Sequence, residues 1–338
     1  MPKVSVVIPV YNTGALLDRT LGSVARQTLA DIEIICVDDC STDDSLSILR
    51  AWERRDPRVR VVALPDNGGV SRARNTGIDE SRGDYIYFLD SDDWIDDDYL
   101  EAMYGNALET GQDVVVNANY VKEYEDAGKK PETEGWGFTE PGFYPPAVVQ
   151  SHMLCVIWAR LYRRDFLVNR QIRFPIVKGG AEDICFTALA ELLQEKSYVF
   201  FGPFHHYWQR AGSLFHQKEN GIYYVESYRL LYRELVTRGI SLDGVKLFHC
   251  GMITIDSPAK YDLIKSYLVE TGNVILQHRD YYTVIDNLLF DAMMDSSDYS
   301  DFLTRHHPNL AVEFLRAQLK KKNSSFPAPT GNLPSQHE

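Results

Sequence analysis

Residues 85–94, Tyr85-Ile86-Tyr87-Phe88-Leu89-Asp90-Ser91-Asp92-Asp93-Trp94, hold the pattern from which the fold follows. The first five are aromatic or aliphatic, the composition of a strand buried on both faces. The run then breaks into carboxylates. A buried strand ending in Asp-x-Asp-Asp delivers acidic side chains to the carboxyl edge of a sheet, where open α/β folds bind ligands. Carboxylates that close repel one another unless a cation lies between them. A hard divalent ion shared with substrate phosphates is one solution. A solvated acidic turn capping the next helix is the other reading, since Asp96, Asp97 and Asp98 follow at once.

Upstream, Val4–Val10 reads as a buried parallel strand, and Tyr11-Asn12-Thr13-Gly14 turns it into a helix with Leu16, Leu17, Leu21 and Val24 at helical spacing. Ile32–Val37 is a second strand ending in Asp38-Asp39, and Ser41-Thr42-Asp43-Asp44 caps a helix to Arg54. Val59–Val62 is a third strand, followed by an Asn67-Gly68-Gly69 loop and a helix over 71–81. Downstream come a helix over Tyr99–Glu109 and a fifth strand over Asp113–Asn117. Such alternation with short connections predicts an α/β domain with a mainly parallel sheet. The first turn lacks the Gly-x-Gly-x-x-Gly of a dinucleotide site, and there is no Walker loop.

The 338 residues suffice for one large domain with a smaller one, or for two of ordinary size. A net charge of -13 argues against a nucleic-acid partner and against broad contact with anionic lipid. No apolar run is long enough to span a membrane. The five cysteines are scattered without a CxxC, as in a reduced, cytoplasmic protein.

From Tyr120 the pattern changes. Residues 122–142 are rich in Glu, Lys, Gly and Pro without period and read as a surface insertion, either a lid over substrate or a disordered loop. Order returns over 148–164, in a helix over 182–193 and a strand over 198–201, before the aromatic and basic run Phe204–Arg210. Past residue 218 the chain reads as helices over 223–237, 260–270, 281–294 and 309–322, then a disordered tail over 323–338. The expected division is therefore 1–217 (halves 1–117 and 118–217), a helical region 218–322 and the tail. The last helix, with Leu310, Val312, Phe314, Leu315 and Leu319 before Lys320-Lys321-Lys322, could pair subunits into a homo-oligomer or rest on the inner membrane face. Net charge favours self-association.

Three strand ends carry polar groups to one edge: Asp38-Asp39, Asn67-Gly68-Gly69 with Arg72, Arg74 and Asn75, and Asp90-Ser91-Asp92. A carboxylate there can accept a uracil imide N–H, Arg and amide groups can hold ribose or phosphate, and the acidic pair can hold a diphosphate-bridging metal. Capping of a helix by Asp38 or Asp39 is the plainer alternative. In order and spacing, residues 4–12, 37–43, 67–75 and 88–93 resemble the motifs of glycosyltransferase family 2. The resemblance implies a GT-A fold, an inverting transfer from a UDP-sugar to a glycan or lipid-linked acceptor in surface-polysaccharide synthesis, and Mn²⁺ or Mg²⁺. It implies that Pro9 and Tyr11 line the base pocket, Asp39 receives the uracil, and Asn67 and Arg74 lie near ribose and phosphate. Asp92 would ligate the metal with Asp90 beside it. Glu182-Asp183, after Gly179-Gly180, matches the acidic pair of the family, with Asp183 as the general base. Trp158 and Arg160–Arg163 resemble its acceptor-side segment, and Arg210 and Ser213 its loop over the diphosphate. His205, His206 and His216 are further candidates for metal, phosphate or acceptor contact. Cys40 departs from the glycine common at that turn. A catalytically silent nucleotide-sugar or glycan-binding module would keep the fold but lose Asp90, Asp92 or Asp183, and all three are present.

Overall fold

The computed structural model describes residues 1–126, 128–153, 156–177, 182–210, 220–243, 245–247, 255, 257–277 and 284–305. The chain separates into two compact units, Met1–Phe248 and His249–Glu338. The first unit runs β1 (Val4–Val10), α1 (Gly14–Ala25), β2 (Ile32–Asp38), α2 (Ser45–Arg55), β3 (Val59–Ala63), α3 (Val70–Glu80), β4 (Tyr85–Phe88), β5 (Trp94–Ile95) and α4 (Tyr99–Thr110). It continues through β6 (Val114–Asn117), β7 (Asn119–Tyr124), β8 (Glu132–Gly135), β9 (Gly142–Tyr144), α5 (Pro146–His152), β10 (Arg160–Arg163), α6 (Arg164–Asn169), α7 (Glu182–Leu192), β11 (Ser197–Phe200), β12 (His205–Gln209) and α8 (Asn220–Thr237).

The main sheet has the order β3-β2-β1-β4-β10-β6-β11-β9. β1, β2, β3 and β4 pair in parallel, as the βα alternation requires. β10 enters antiparallel between β4 and β6, so the fourth and fifth strands of the sequence are not neighbours. Every residue of β1 is buried, because helices cover both faces. α3 lies close on it: a Cβ at Gly77 would fall 2.2 Å from Val7 Cγ1. The core between α1, α2, α4 and the sheet holds Val6, Ile8, Leu21, Ile34, Leu49, Tyr87 and Met103.

The insertion over 122–142 is not a structureless loop. β7 and β8 pair antiparallel, and β9 closes the edge of the main sheet. A second sheet runs β5-β12-β7-β8. Its alternation escapes a hydropathy reading because charged Lys122, Glu123, Glu132 and Glu134 share the strands with buried Tyr120 and Val121. α8 packs on α7 within the first unit, so the contact boundary follows packing, whereas the sequence division at 217/218 follows the change to helical composition.

In the second unit, α9 (Pro258–Gln277) packs against α10 (Val284–Asp295) and α11 (Tyr299–Arg305). The Tyr261 hydroxyl bonds Ser296 Oγ at 2.7 Å there. Among the described residues no helix is long and apolar enough to cross a membrane. The expected helix over 309–322 and the tail lie outside them.

Candidate active site

The register of the parallel strands sets Val10 beside Asp38 and Val7 beside Phe88, so Tyr11, Asp39 and Asp90 leave the sheet at one edge. Pro9 is buried inside β1 opposite Val37, and Tyr11 is 48% exposed. Asp39 Oδ1 and Oδ2 accept the N–H groups of Gly68 and Gly69 at 2.8 and 2.7 Å, clamping the loop that begins at exposed Asn67. Each oxygen keeps a lone pair for a further donor. Asp38 Oδ2 accepts the Ser41 N–H at 3.2 Å, while its buried Oδ1 has no partner among the described residues. Neither aspartate caps α2. That work falls to Asp43, which accepts from Ser45 N–H at 2.9 Å and, with its other oxygen, from Gly14 N–H at 3.1 Å.

Cys40, where glycine is usual, has φ +59°, the left-handed region that costs a side chain about 1–2 kcal/mol. Part of that is offset by the entropy a glycine would lose. Cys40→Gly should therefore raise unfolding free energy by about 0.5–1 kcal/mol in a urea melt. Equal or lower stability would show that the turn carries no strain.

Arg74, buried on α3, links two parts of the chain. Its Nη2 donates to Asp90 Oδ1 at 2.8 Å and its Nη1 to Glu182 Oε1. Burial works to lower its pKa, but Asp90 and Glu182 overcome that and hold the guanidinium charged. The side chain is 7% exposed, so Arg74 serves here as a strut between carboxylates at the end of β4 and the start of α7. Burial, then Asp93 and Asp90, push Asp92 up to about 7; Arg210, 2.9 Å away, opposes them. On α7, Glu182 is taken by Arg74, while the partly exposed Asp183 beside it is pushed well above the usual carboxylate range by burial and then by Glu182.

Behind these groups lies a buried polar chain. Asp93 accepts the Trp208 N–H at 2.8 Å and pairs with His205 Nε2 at 2.9 Å, and His205 Nδ1 meets the Tyr87 hydroxyl at 2.9 Å. His205 has no exposure, and burial pushes it down to about 3, so it is a neutral core residue rather than a phosphate contact. His206 lies between Glu123 and Asp96 at 2.9 and 3.0 Å, stacked on Trp94. Trp158 is 7% exposed and stacks on His205 at 4.1 Å. Arg160 is fully buried on Glu191 and so is removed from any acceptor surface. His216, Ser213 and the glycines before Glu182 lie outside the described residues.

Two residues that pin the acidic loop escape sequence reasoning. Arg19 lies between the Trp94 and Trp208 rings, at 3.8 and 4.3 Å, and donates to the Asp92 carbonyl at 2.9 Å. Thr20 Oγ1 donates to the carbonyls of Ser91 and Asp93 at 3.0 and 2.7 Å. Both stand on α1, whose apolar spacing alone is visible in the sequence.

Among the described residues no three His, Cys, Asp or Glu side chains gather as a metal cage. Asp92 and Asp90 nevertheless suit a hard cation that keeps water and phosphate oxygens, which needs only one or two carboxylates. Burial and then the repulsion of Asp93 and Asp90 raise Asp92, and such an ion would relieve that repulsion.

Residues 5–169 match the family model "Glycosyl transferase family 2". EpsH of Bacillus subtilis (strain 168) is 34% identical over 212 residues, which are 61% of this chain and 60% of EpsH. The chain thus spans less than two thirds of that relative's length. The poly(ribitol-phosphate) beta-N-acetylglucosaminyltransferase TarP of Staphylococcus aureus (strain N315) is 27% identical over 246 residues, 70% of this chain and 72% of TarP. Among solved structures, S. aureus TarS 1-349 in complex with UDP-GlcNAc superposes with a TM-score of 0.60 at 23% identity, covering 80% of this chain and 73% of that one. That likeness establishes the GT-A fold. With the strand-end motifs gathered at one sheet edge and the family model matched from the first strand onward, residues 5–169 form a glycosyl transferase family 2 region, just under half of the chain.

Proposed function

We propose that this chain is an inverting glycosyltransferase that moves a sugar from a UDP-sugar to a hydroxyl of a glycan or lipid-linked acceptor in bacterial surface-polysaccharide synthesis. The observation that carries the reading is the Arg74 strut. It ties the carboxylates at the end of β4, suited to a donor diphosphate, to the acidic pair that opens α7, suited to an acceptor. The TarS complexes with UDP-GlcNAc and UDP, and the poly(ribitol-phosphate) transferases among the relatives, support the donor and reaction class.

In this reading Pro9, Tyr11 and Asp39 receive the uracil, and the clamped Asn67 loop borders the ribose. Asp92 with Asp90 would hold Mn²⁺ or Mg²⁺, which when bound offsets charge on the departing diphosphate. Arg210, beside Asp92, adds a fixed positive charge to the same region. Asp183 takes the acceptor's proton as its oxygen bonds the anomeric carbon; the bond to the diphosphate breaks and UDP leaves with the electron pair. Because Arg74 neutralises Glu182, Asp183 is the member of the pair free to act as base.

A donor screen with Mn²⁺, scoring nucleotide release across UDP-, GDP- and dTDP-sugars, tests the proposal. UDP-sugars should be preferred, and release from none of them would overturn it. Asp92→Asn should fold normally and raise the Mn²⁺ concentration for half-maximal activity about tenfold, a loss of roughly 1.4 kcal/mol in ion binding. An unchanged Mn²⁺ titration would remove Asp92 from the metal site.

A further inference from the structure

The second sheet carries a row of rings that the family motifs do not account for. Alternation along β12 turns His206 and Trp208 toward Trp94, at 5.1 and 5.8 Å, and His205 and Tyr207 toward Trp158, at 4.1 and 5.7 Å. From Trp158 the row continues to Trp136 at 6.0 Å, which stacks on Tyr120 at 4.8 Å. Trp136 follows β8 directly, and its backbone N–H donates to the Ala118 carbonyl at 3.1 Å, so the hairpin delivers its ring to a fixed place. The other end of the row meets the reaction centre: His205 bonds Asp93, and Arg210, just beyond β12, pairs with Asp92.

Three features narrow what such a row would hold. Tyr207 and Trp136 are half-buried on either side of the buried Trp158, and such aromatic side chains, apolar in body and polar at the tip, suit the face of a sugar ring. The indole N–H of Trp136 is shielded from solvent and has no acceptor among the described residues, which leaves a donor to be satisfied. Between Asn119 and Tyr144 the sequence has six acidic residues against three lysines, a field that repels a polyanion.

We propose that Tyr207 and Trp136, backed by the buried Trp158, form the acceptor subsite, that it takes an uncharged saccharide rather than a polyol-phosphate chain, and that Trp136 sets its affinity. The inference rests on the transferase reading and adds the acceptor's chemical class to it. It also separates this chain from TarP, whose name specifies poly(ribitol-phosphate).

Calorimetry on the full chain with saturating UDP tests it, with β-linked tetramers of glucose and of N-acetylglucosamine as neutral probes and poly(ribitol phosphate) as the charged one. A neutral tetramer should bind, and poly(ribitol phosphate) should bind more weakly. Trp136→Ala should weaken tetramer binding at least about tenfold, with UDP affinity unchanged. Trp136→Phe should lie between the two, and it carries the test if the Ala variant does not fold. Tighter binding of poly(ribitol phosphate), no binding of either tetramer to a chain that binds UDP, or tetramer affinity indifferent to position 136 would each overturn the inference while leaving the donor site standing. Failure of the unaltered chain to bind UDP, read in a separate titration, would overturn the transferase reading and the inference with it.

Discussion

Asp183→Asn should lower kcat by about 10²–10⁴ while leaving UDP-sugar affinity almost unchanged, the usual loss when a positioned base is removed. The expectation follows from how the carboxylates are shared. Asp90 and Glu182 are both bound by Arg74, Asp93 is spent on Trp208 and His205, and Asp39 clamps the Gly68-Gly69 loop. Asp92 faces Arg210. Asp183 is left partly exposed at the start of α7, and burial together with Glu182 raises its proton affinity, which makes it a stronger base than an ordinary carboxylate. Asparagine preserves its shape and removes only the basic oxygen. Steady-state kinetics with the donor varied separates the outcomes. Normal turnover, or a fall in donor affinity that keeps step with the fall in rate, would exclude Asp183 and make Glu182 the candidate.

The parts of this fold legible in the sequence are those in which neighbours in space are neighbours along the chain. β1 to β4 and their helices follow from short-range periodicity, and the expected helix over 71–81 is found as Val70–Glu80. The polar strand ends follow too, because parallel pairing sends them to one edge. What was hidden depends on distant pairing. β10 slips antiparallel between β4 and β6, which no local pattern in Arg160-Leu161-Tyr162-Arg163 announces. Arg74 and Glu182 stand 108 residues apart, so the strut joining the two halves of the site is visible only in three dimensions. The β7–β8 hairpin was obscured for another reason: a thin, half-exposed sheet mixes charged with buried residues in the same strands, and composition alone reads as loop.

The largest expected effect on stability lies at Arg160, where Arg160→Met should cost about 3–5 kcal/mol of unfolding free energy. Arg160 and Glu191 both have no exposed side-chain surface. The guanidinium Nε donates to Glu191 Oε1 at 2.7 Å, Nη2 donates to the Met153 carbonyl at 3.0 Å, and Nη1 donates to the Val156 carbonyl. Glu191 Oε2 in turn accepts from Ser197 and from Gln194. Together the hydrogen bonds of the arginine join the strand to the segment before it and to α7, so the pair fixes the helix that carries Asp183 against the segment that leads to Trp158. Removing the cation leaves Glu191 buried without a counter-charge, and that penalty, more than the lost attraction, sets the magnitude. The same desolvation cost governs the double variant. Arg160→Met with Glu191→Met removes both charges together and should be markedly more stable than Arg160→Met alone. Chemical denaturation of the two single variants and the double variant closes the cycle. A double variant as unstable as the sum of the singles would show that the two charges stabilise the fold independently, and that the cost comes from lost packing.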